Sequence, residues 1–183
     1  MASLDDTLRL CQEGDAIAWQ RLVEEFQGRV YAVCLYYVHN RADAVDASQE
    51  CFIKVFNKLE EFNGDAEVFI PWLLSIARNI CIDRLRANDT RARYQRAYQH
   101  GVTEIDEVSD PERELDKNQQ HGLLYRALSR FSQMNRDIVL LKDIQGLSLE
   151  EVARILNLPV GTIKSRSNRA RIKLSKLLTE LKP

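Results

Sequence analysis

Between Gly161 and Lys176 the sequence GTIKSRSNRARIKLSK carries Lys164, Arg166, Arg169, Arg171, Lys173 and Lys176 and no acid, in a chain whose formal net charge is −1. Cations at this density suit phosphate oxygens, and Thr162, Ser165 and Asn168 among them can reach the hydrogen-bonding edges of bases. A basic helix face is by itself often only a solvated surface, so the elements that hold it decide the reading. Just upstream, Ser148 with Glu151 three residues on makes a capping box, and Val152, Ile155 and Leu156 give the helix it starts an apolar face. Asn157 tolerates the left-handed conformation of a tight turn, and Pro159 suits the start of the next helix. Along that second helix Ile163, Ser167, Ala170, Leu174 and Leu177 share one face, and the basic residues point elsewhere. The pattern predicts a helix-turn-helix whose second helix enters a major groove of DNA.

Other chemistries find no support. His39, His100 and His121 are isolated, no glycine-rich phosphate loop occurs, and no carboxylates form a catalytic pair, so neither catalytic residues nor a cofactor are expected. Cys11, Cys34, Cys51 and Cys81 are scattered without a C-x-x-C pair or a nearby histidine, which predicts buried reduced thiols rather than a metal site. No apolar run approaches the roughly 18 residues of a membrane span, and the amino terminus, MASLDDTLRL, has no basic leader. A cytoplasmic protein with no membrane insertion is expected. The near-zero net charge makes the basic helix one local patch on an otherwise acidic chain, so affinity for DNA must come partly from another component.

At 183 residues, 45% hydrophobic and 29% charged, the chain suits one or two small domains with thin cores. Trp19, Leu22, Val23, Phe26, Val30, Val33 and Tyr37 recur at three- and four-residue steps and draw one long amphipathic helix, preceded by a shorter one through Leu4, Leu8 and Cys11 that ends before Gly14. Asn40 can cap the next helix, whose stripe is Ala44, Ala47, Cys51, Val55 and Leu59. Pro71 suits the first turn of another, with Trp72, Leu73, Ile76 and Ile80 on its apolar face. Nothing reads as a strand. The expected fold is all-α, with a helical domain over 1–97, a flexible acidic linker over 98–116, and a second domain over 117–183 containing the helix-turn-helix. In the linker, Glu104, Asp106, Glu107, Asp110, Glu112, Glu114 and Asp116 stand against Arg113 alone. It reads either as a solvated tether or as a segment that follows a basic channel in a partner. Leu123, Leu124, Ala127, Leu128 and Phe131 then form one stripe, and Ile138, Val139 and Leu141 another.

The blocks DAVDASQECFIKVFNKLEEFNGD, WLLSIARNICIDRLR and GLSLEEVARILNLPVGTIKSRSNRARIKL resemble, in order and separation, the two halves of bacterial extracytoplasmic-function (ECF) sigma factors. The resemblance covers nearly the whole chain apart from the linker. It implies a sigma-2 domain that binds core RNA polymerase and the promoter −10 element, and a sigma-4 domain that reads the −35 element. Core polymerase and promoter DNA are then the partners, and an anti-sigma regulator is common in the family.

By this similarity the helix from Asp43 to Leu59 docks on the polymerase clamp through Asp46, Gln49, Glu50, Phe52 and Lys54. The acids and amide would form the rim and the aromatic the centre, unless Phe52 is simply core. The stretch EFNGDAEVFIPW resembles the loop that holds a base flipped from the −10 element. Gly64 would give a tight turn, Asn63 and Asp65 base-edge contacts, and Phe62, Phe69 or Trp72 a stacking surface. For Phe69 and Trp72 buried packing is the competing reading. Arg78, Asn79 and Arg86 on the following helix would lie near duplex DNA, the two arginines as phosphate contacts. The −35 contacts would be Thr162, Lys164, Ser165, Arg166, Asn168, Arg169, Arg171 and Lys173. Ser167, where the family commonly has a bulky apolar residue, and Asn157, often glycine, depart from the pattern. A ligand-sensing repressor would also use a helix-turn-helix, but it has no use for the Asp46–Lys54 block joined to FNGD.

Overall fold

In the computed structural model, residues 3–98, 127–128 and 130–180 are described. The linker reading, past residue 98, and the stripe residues Leu123 and Leu124 lie outside them. The chain divides into two compact helical units, Met1–Ser109 and Asp110–Pro183, and the described residues contain no strand.

The first unit holds α1 (Leu4–Gln12), α2 (Ala16–Val38), α3 (Arg41–Lys58), one 3-10 turn (Leu59–Glu61) and α4 (Ala66–Tyr98). Polar caps define these boundaries. Ser3 and Asp6 form a reciprocal capping box on α1, and the Asp15 carboxylate accepts from the N–H groups of Ile17 (2.8 Å) and Ala18 (3.0 Å) on α2. Gly14 takes φ +87° between the two helices. α2 stops at His39, which adopts the left-handed conformation (φ 58°) that histidine tolerates better than most side chains. The expected Asn40 cap follows at once, accepting from the Asp43 N–H at 3.1 Å.

The core sits where α2, α3 and α4 meet. Leu22, Val30, Val33 and Cys34 of α2 are fully buried against Ala44, Ala47, Cys51 and Val55 of α3 and Leu73, Leu74, Ala77 and Cys81 of α4. Alanines and cysteines fill much of α3's inner face, so the backbones approach closely. All four cysteines are free and buried, as expected, and burial pushes the Cys51 thiol up to about 12.

One boundary differs from expectation. α4 begins at Ala66, and Pro71 lies inside it rather than in its first turn. The cause is Asp65, whose carboxylate accepts from the N–H groups of Glu67 (3.1 Å) and Val68 (3.3 Å) and starts the helix early. Pro71 then withholds a hydrogen bond from the carbonyl of exposed Glu67, which water can serve.

The second unit holds α5 (Gln133–Ile138), which continues as a wider π-helical segment (Val139–Ile144), then α6 (Leu149–Leu156) and α7 (Val160–Glu180). Ile138, Val139, Leu140 and Leu141 are all buried, so this segment is enclosed on most sides and not on the one stripe expected. The Ser148–Glu151 capping box forms (N–H to oxygen 3.1 and 2.6 Å) and Asn157 ends α6 at φ 52°, ψ 51°. Pro159 precedes α7 and its carbonyl accepts from Thr162 and Ile163. Ile163, Ser167 and Ala170 bury the inner face of α7 as the stripe predicted, with Leu177 below them.

Ser148→Ala removes one half of that box without touching the core. It should destabilise the second unit by about 1 kcal/mol, seen as an earlier urea midpoint by circular dichroism.

Candidate nucleic-acid interface

On α7 the residues opposite the buried stripe are exposed: Ser165, Asn168, Arg169 and Lys176, with Ile172 among them at 53% exposure. Lys164 is exposed beside this crest, while Thr162 and Arg166 are half-buried. The Ser165 hydroxyl donates to the Thr162 carbonyl (3.0 Å) and Arg169 Nε to the Ser165 carbonyl (3.2 Å), so both side chains lie along the helix. Arg171 and Lys173 behave differently from the expectation that both face DNA. Arg171 Nε donates to Asp143 Oδ1 at 2.9 Å, and its guanidinium makes a second bond to the same oxygen. Lys173 Nζ donates to the Arg130 carbonyl (3.0 Å) and lies 5.0 Å from the Phe131 ring centroid. Lys164, Arg166, Arg169 and Lys176 remain for an outside ligand. Asp143 carried no sequence signal, because it is a lone surface acid; Ile172 was legible only as an apolar residue off the inward stripe.

In the first unit the Phe62–Asp65 corner is pinned by α1. The Gln12 amide donates to the carbonyls of Leu59 and Phe62, both at 2.9 Å, and the Asp5 carboxylate accepts from the Ala66 N–H at 2.7 Å. These contacts span 47 to 61 residues, and no local pattern announces them. Phe62 and Trp72, both half-buried, meet in a tilted arrangement with centroids 4.7 Å apart and 35° between the rings. Phe69 lies beneath at 5.7 and 5.9 Å, fully buried against Phe26, so it supports the stack and offers no surface of its own. Asn63, Gly64 and Asp65 are exposed, although the Asp65 carboxylate is already occupied as the α4 cap. Gly64 is not there for a positive φ; a Cβ on it would collide with Val68 Cγ2 and lie 2.6 Å from Phe62 Cζ.

Next to this corner in sequence, α3 and α4 enclose a polar pocket of about 400 Å³ lined by Lys54, Lys58, Arg78, Asn79, Asp83 and Arg86. Asp83 partly offsets Arg86 at 3.6 Å, and Arg78 donates to the Asn79 side-chain oxygen at 3.4 Å. Four cations around one carboxylate and one amide suit a phosphate together with a base edge. Lys58 was missed, and Lys54, expected on the docking face, lines this pocket.

At ~100° per residue the five expected docking residues spread over roughly 200° of α3. Asp46 and Gln49 are exposed. Phe52, 9% exposed, helps floor a groove of about 550 Å³ between α2 and α3 with Val23, Tyr31, Val45 and Gln49. Glu50 turns toward α4, where Arg84 holds it at 2.6 Å and also donates to the Asp43 carbonyl at 3.4 Å. The Glu50 carboxylate raises the Arg84 pKa further above its ordinary range. Two large apolar side chains, Ile53 (63% exposed) and Phe56 (57%), stand beside Asp46 and Gln49, and Phe56 meets Trp19 edge-on at 5.1 Å. Their signal was present in the sequence: both fall off the Ala44–Ala47–Cys51–Val55 stripe. Among the described residues no group of side chains is arranged to hold a metal, and no helix is long and apolar enough to cross a membrane.

Residues 22–91 match the family model for Sigma-70 region 2, and residues 121–174 that for Sigma-70, region 4. The chain is 30% identical over 176 residues to the RNA polymerase sigma-H factor of Pseudomonas aeruginosa, covering 93% of this chain and 91% of the relative. It is 33% identical over 167 residues to the ECF RNA polymerase sigma-E factor of Escherichia coli K12, covering 87% and 86%. Among solved structures, the sigma factor RpoE of Bartonella quintana, in complex with the anti-sigma factor NepR, matches with a TM-score of 0.67 at 24% identity, over 89% of this chain and 98% of that one. At that identity the likeness bears on the fold alone.

The tight seat of Gly64 gives a direct test of the corner. Gly64→Ala should cost about 1–3 kcal/mol through overpacking and displace Phe62 from Trp72. In a Trp19→Phe background, Trp72 emission should shift to the red while helicity stays unchanged.

Proposed function

Because this chain belongs to the ECF sigma factors of the sigma-70 family and acts in transcription initiation, we propose that it joins core RNA polymerase through α3, directs it to −35/−10 promoter elements, and promotes melting of the DNA. The observation that carries this reading is the pairing, in one chain, of a basic pocket beside an aromatic corner with a separate helix-turn-helix whose outer crest is polar and cationic. In this proposal the domains are 1–97, which handles the polymerase and the −10 element, 98–116, which links, and 117–183, which handles the −35 element.

At the −10 element, the half-buried Phe62–Trp72 pair, its rings tilted 35° to each other, offers an aromatic surface to a base leaving the duplex, and Asn63 offers an amide to its edge. Lys54, Lys58, Arg78 and Arg86 would neutralise the adjacent phosphates, with Asn79 among them for a base. Single-stranded DNA held this way is removed from the duplex equilibrium, which is how binding favours melting. At the −35 element, α7 would enter the major groove, where the Thr162–Arg169 portion reads base edges and phosphates.

The polymerase contact is best supported by Ile53 and Phe56, large apolar groups held in water beside Asp46 and Gln49. Exposed apolar groups rimmed by polar ones mark an interaction site. An anti-sigma regulator, as in the complex of the Bartonella relative, is the further partner proposed.

Two measurements test this. Phe56→Ala should weaken association with core polymerase by more than about tenfold, as truncating an aromatic anchor does. Asp46→Ala should cost less, with an effect that fades at high salt. Equal core affinity in both variants at full helicity would remove α3 as the docking face. For DNA, a promoter library transcribed by the holoenzyme should show Asn63→Ala and Asn79→Ala altering −10 preference only. Lys164→Ala and Arg169→Ala should alter −35 binding only, with a phosphate contact lowering the salt slope by about one unit. Asn63 variants that change −35 preference would overturn the division of labour.

A further inference from the structure

Arg171 and Lys173 lie about 200° apart on α7, and each is bound to the body of its own unit. Arg171 reaches Asp143 on the π-helical segment, and Lys173 reaches the Arg130 carbonyl and the Phe131 face ahead of α5. The helix is therefore gripped from both flanks at one level, roughly three turns from its start.

That level matters for geometry. Arg171 is nine residues beyond Thr162, about 14 Å along the axis at ~1.5 Å per residue, so a tilt of about 5° about the grip moves the first turn by roughly 1.2 Å. A hydrogen bond to a base edge tolerates only about 0.5 Å in length. Surface ion pairs contribute little to stability, yet here one sets the angle at which a long lever meets its target. The buried stripe alone, with the small side chains Ser167 and Ala170 at its middle, leaves less bulk to fix that angle. Asp143 is the better shielded partner, its side chain 22% exposed against 56% for Arg171, and both guanidinium bonds converge on its one oxygen Oδ1.

We propose that Asp143 is a positioning residue for −35 recognition, acting through Arg171 to fix the pitch of α7 with Lys173 as the opposing brace, and that neither cation contacts DNA. This deepens, and rests on, the reading of α7 as the −35 recognition helix. The DNA-facing set then contracts to Thr162, Lys164, Ser165, Arg166, Asn168 and Arg169.

The test uses the full chain assembled with core polymerase and a promoter library randomised at the −35 element. Asp143→Asn and Arg171→Gln should each flatten −35 preference by about two- to fivefold, the range of a surface ion pair, with −10 preference and the salt slope of promoter binding unchanged. Asp143→Glu should retain the preference, and the exchanged pair D143R/R171D should recover most of it. A salt slope reduced by about one unit in Arg171→Gln, with Asp143→Asn normal, would make Arg171 a phosphate contact and overturn the proposal. Lower melting temperatures with intact −35 preference would reduce the pair to a structural tie and overturn it equally. Arg169→Gln serves as the reference. If it alters −35 binding while Asp143→Asn does not, only the positioning role fails; if neither does, the −35 reading itself fails.

Discussion

The Asp65 carboxylate and its partner Asp5 satisfy the N–H groups of Ala66, Glu67 and Val68, three of the four that any helix start leaves unpaired. The next N–H in line, on Phe69, makes the first i→i−4 bond, back to the Asp65 carbonyl. This one arrangement sets the register of α4, and α4 carries most of what the first unit does. Starting there, Phe69 turns into the core, Trp72 comes up under Phe62, and Asn79 and Arg86 face Lys54 and Lys58 of α3. A start five residues later, at Pro71, would leave Phe69 outside the helix and the aromatic corner without its floor. Acids at this end also agree with the positive pole of the helix.

The second unit is arranged by the same means. Ser148 and Glu151 begin α6, Asn157 ends it in the one left-handed residue of the turn, and Pro159 releases the chain into α7. Both units thus use short polar side chains to fix helix ends and leave long cationic ones to the surfaces. The difference lies in what the cations do. Around the α3–α4 pocket the pairings of Arg78 with Asn79 and Arg86 with Asp83 stay within the pocket lining, whereas on α7 two of six cations are committed inward to the body of the unit.

Much of this was legible in the sequence because the signals are local. The caps at Asn40 and Ser148, the Asn157 turn, the period of α2 and the inward stripe of α7 each need only a few neighbouring residues to be recognised, and each stands in the structure. What escaped is what depends on distance or on rotation about a helix. Gln12 and Asp5 act on a corner about 50 to 60 residues away. The family resemblance groups Lys54 and Glu50 with Asp46 on one docking helix, and it carries no information on rotation: both turn toward α4. Phe56 and Ile53 are apolar residues off the buried stripe of α3, a signal that is present but that a search for core positions alone passes over. Arg171 and Lys173 read as ligands for DNA because charge counts alone do not reveal an internal partner. Even Pro71 misled for a physical reason: its preference for a first turn is real, but a strong cap upstream outweighed it.

The four cysteines have a practical consequence. They are spread over α1, α2, α3 and α4 and all are buried; burial pushes the Cys51 thiol up to about 12, and although a hydrogen bond with Cys81 draws the Cys34 thiol down, Cys34 is fully enclosed, so the native protein offers alkylating reagents no accessible nucleophile. Unfolding of the first unit exposes all four at once, and the second unit has none. The chain therefore contains its own counter of opened molecules: mass increments after a brief pulse of reagent report the first unit alone. A single cysteine introduced on the outer crest of α7 would be chemically distinct from the native four, giving a unique anchor for a fluorophore or crosslinker with no native residue altered in the first unit.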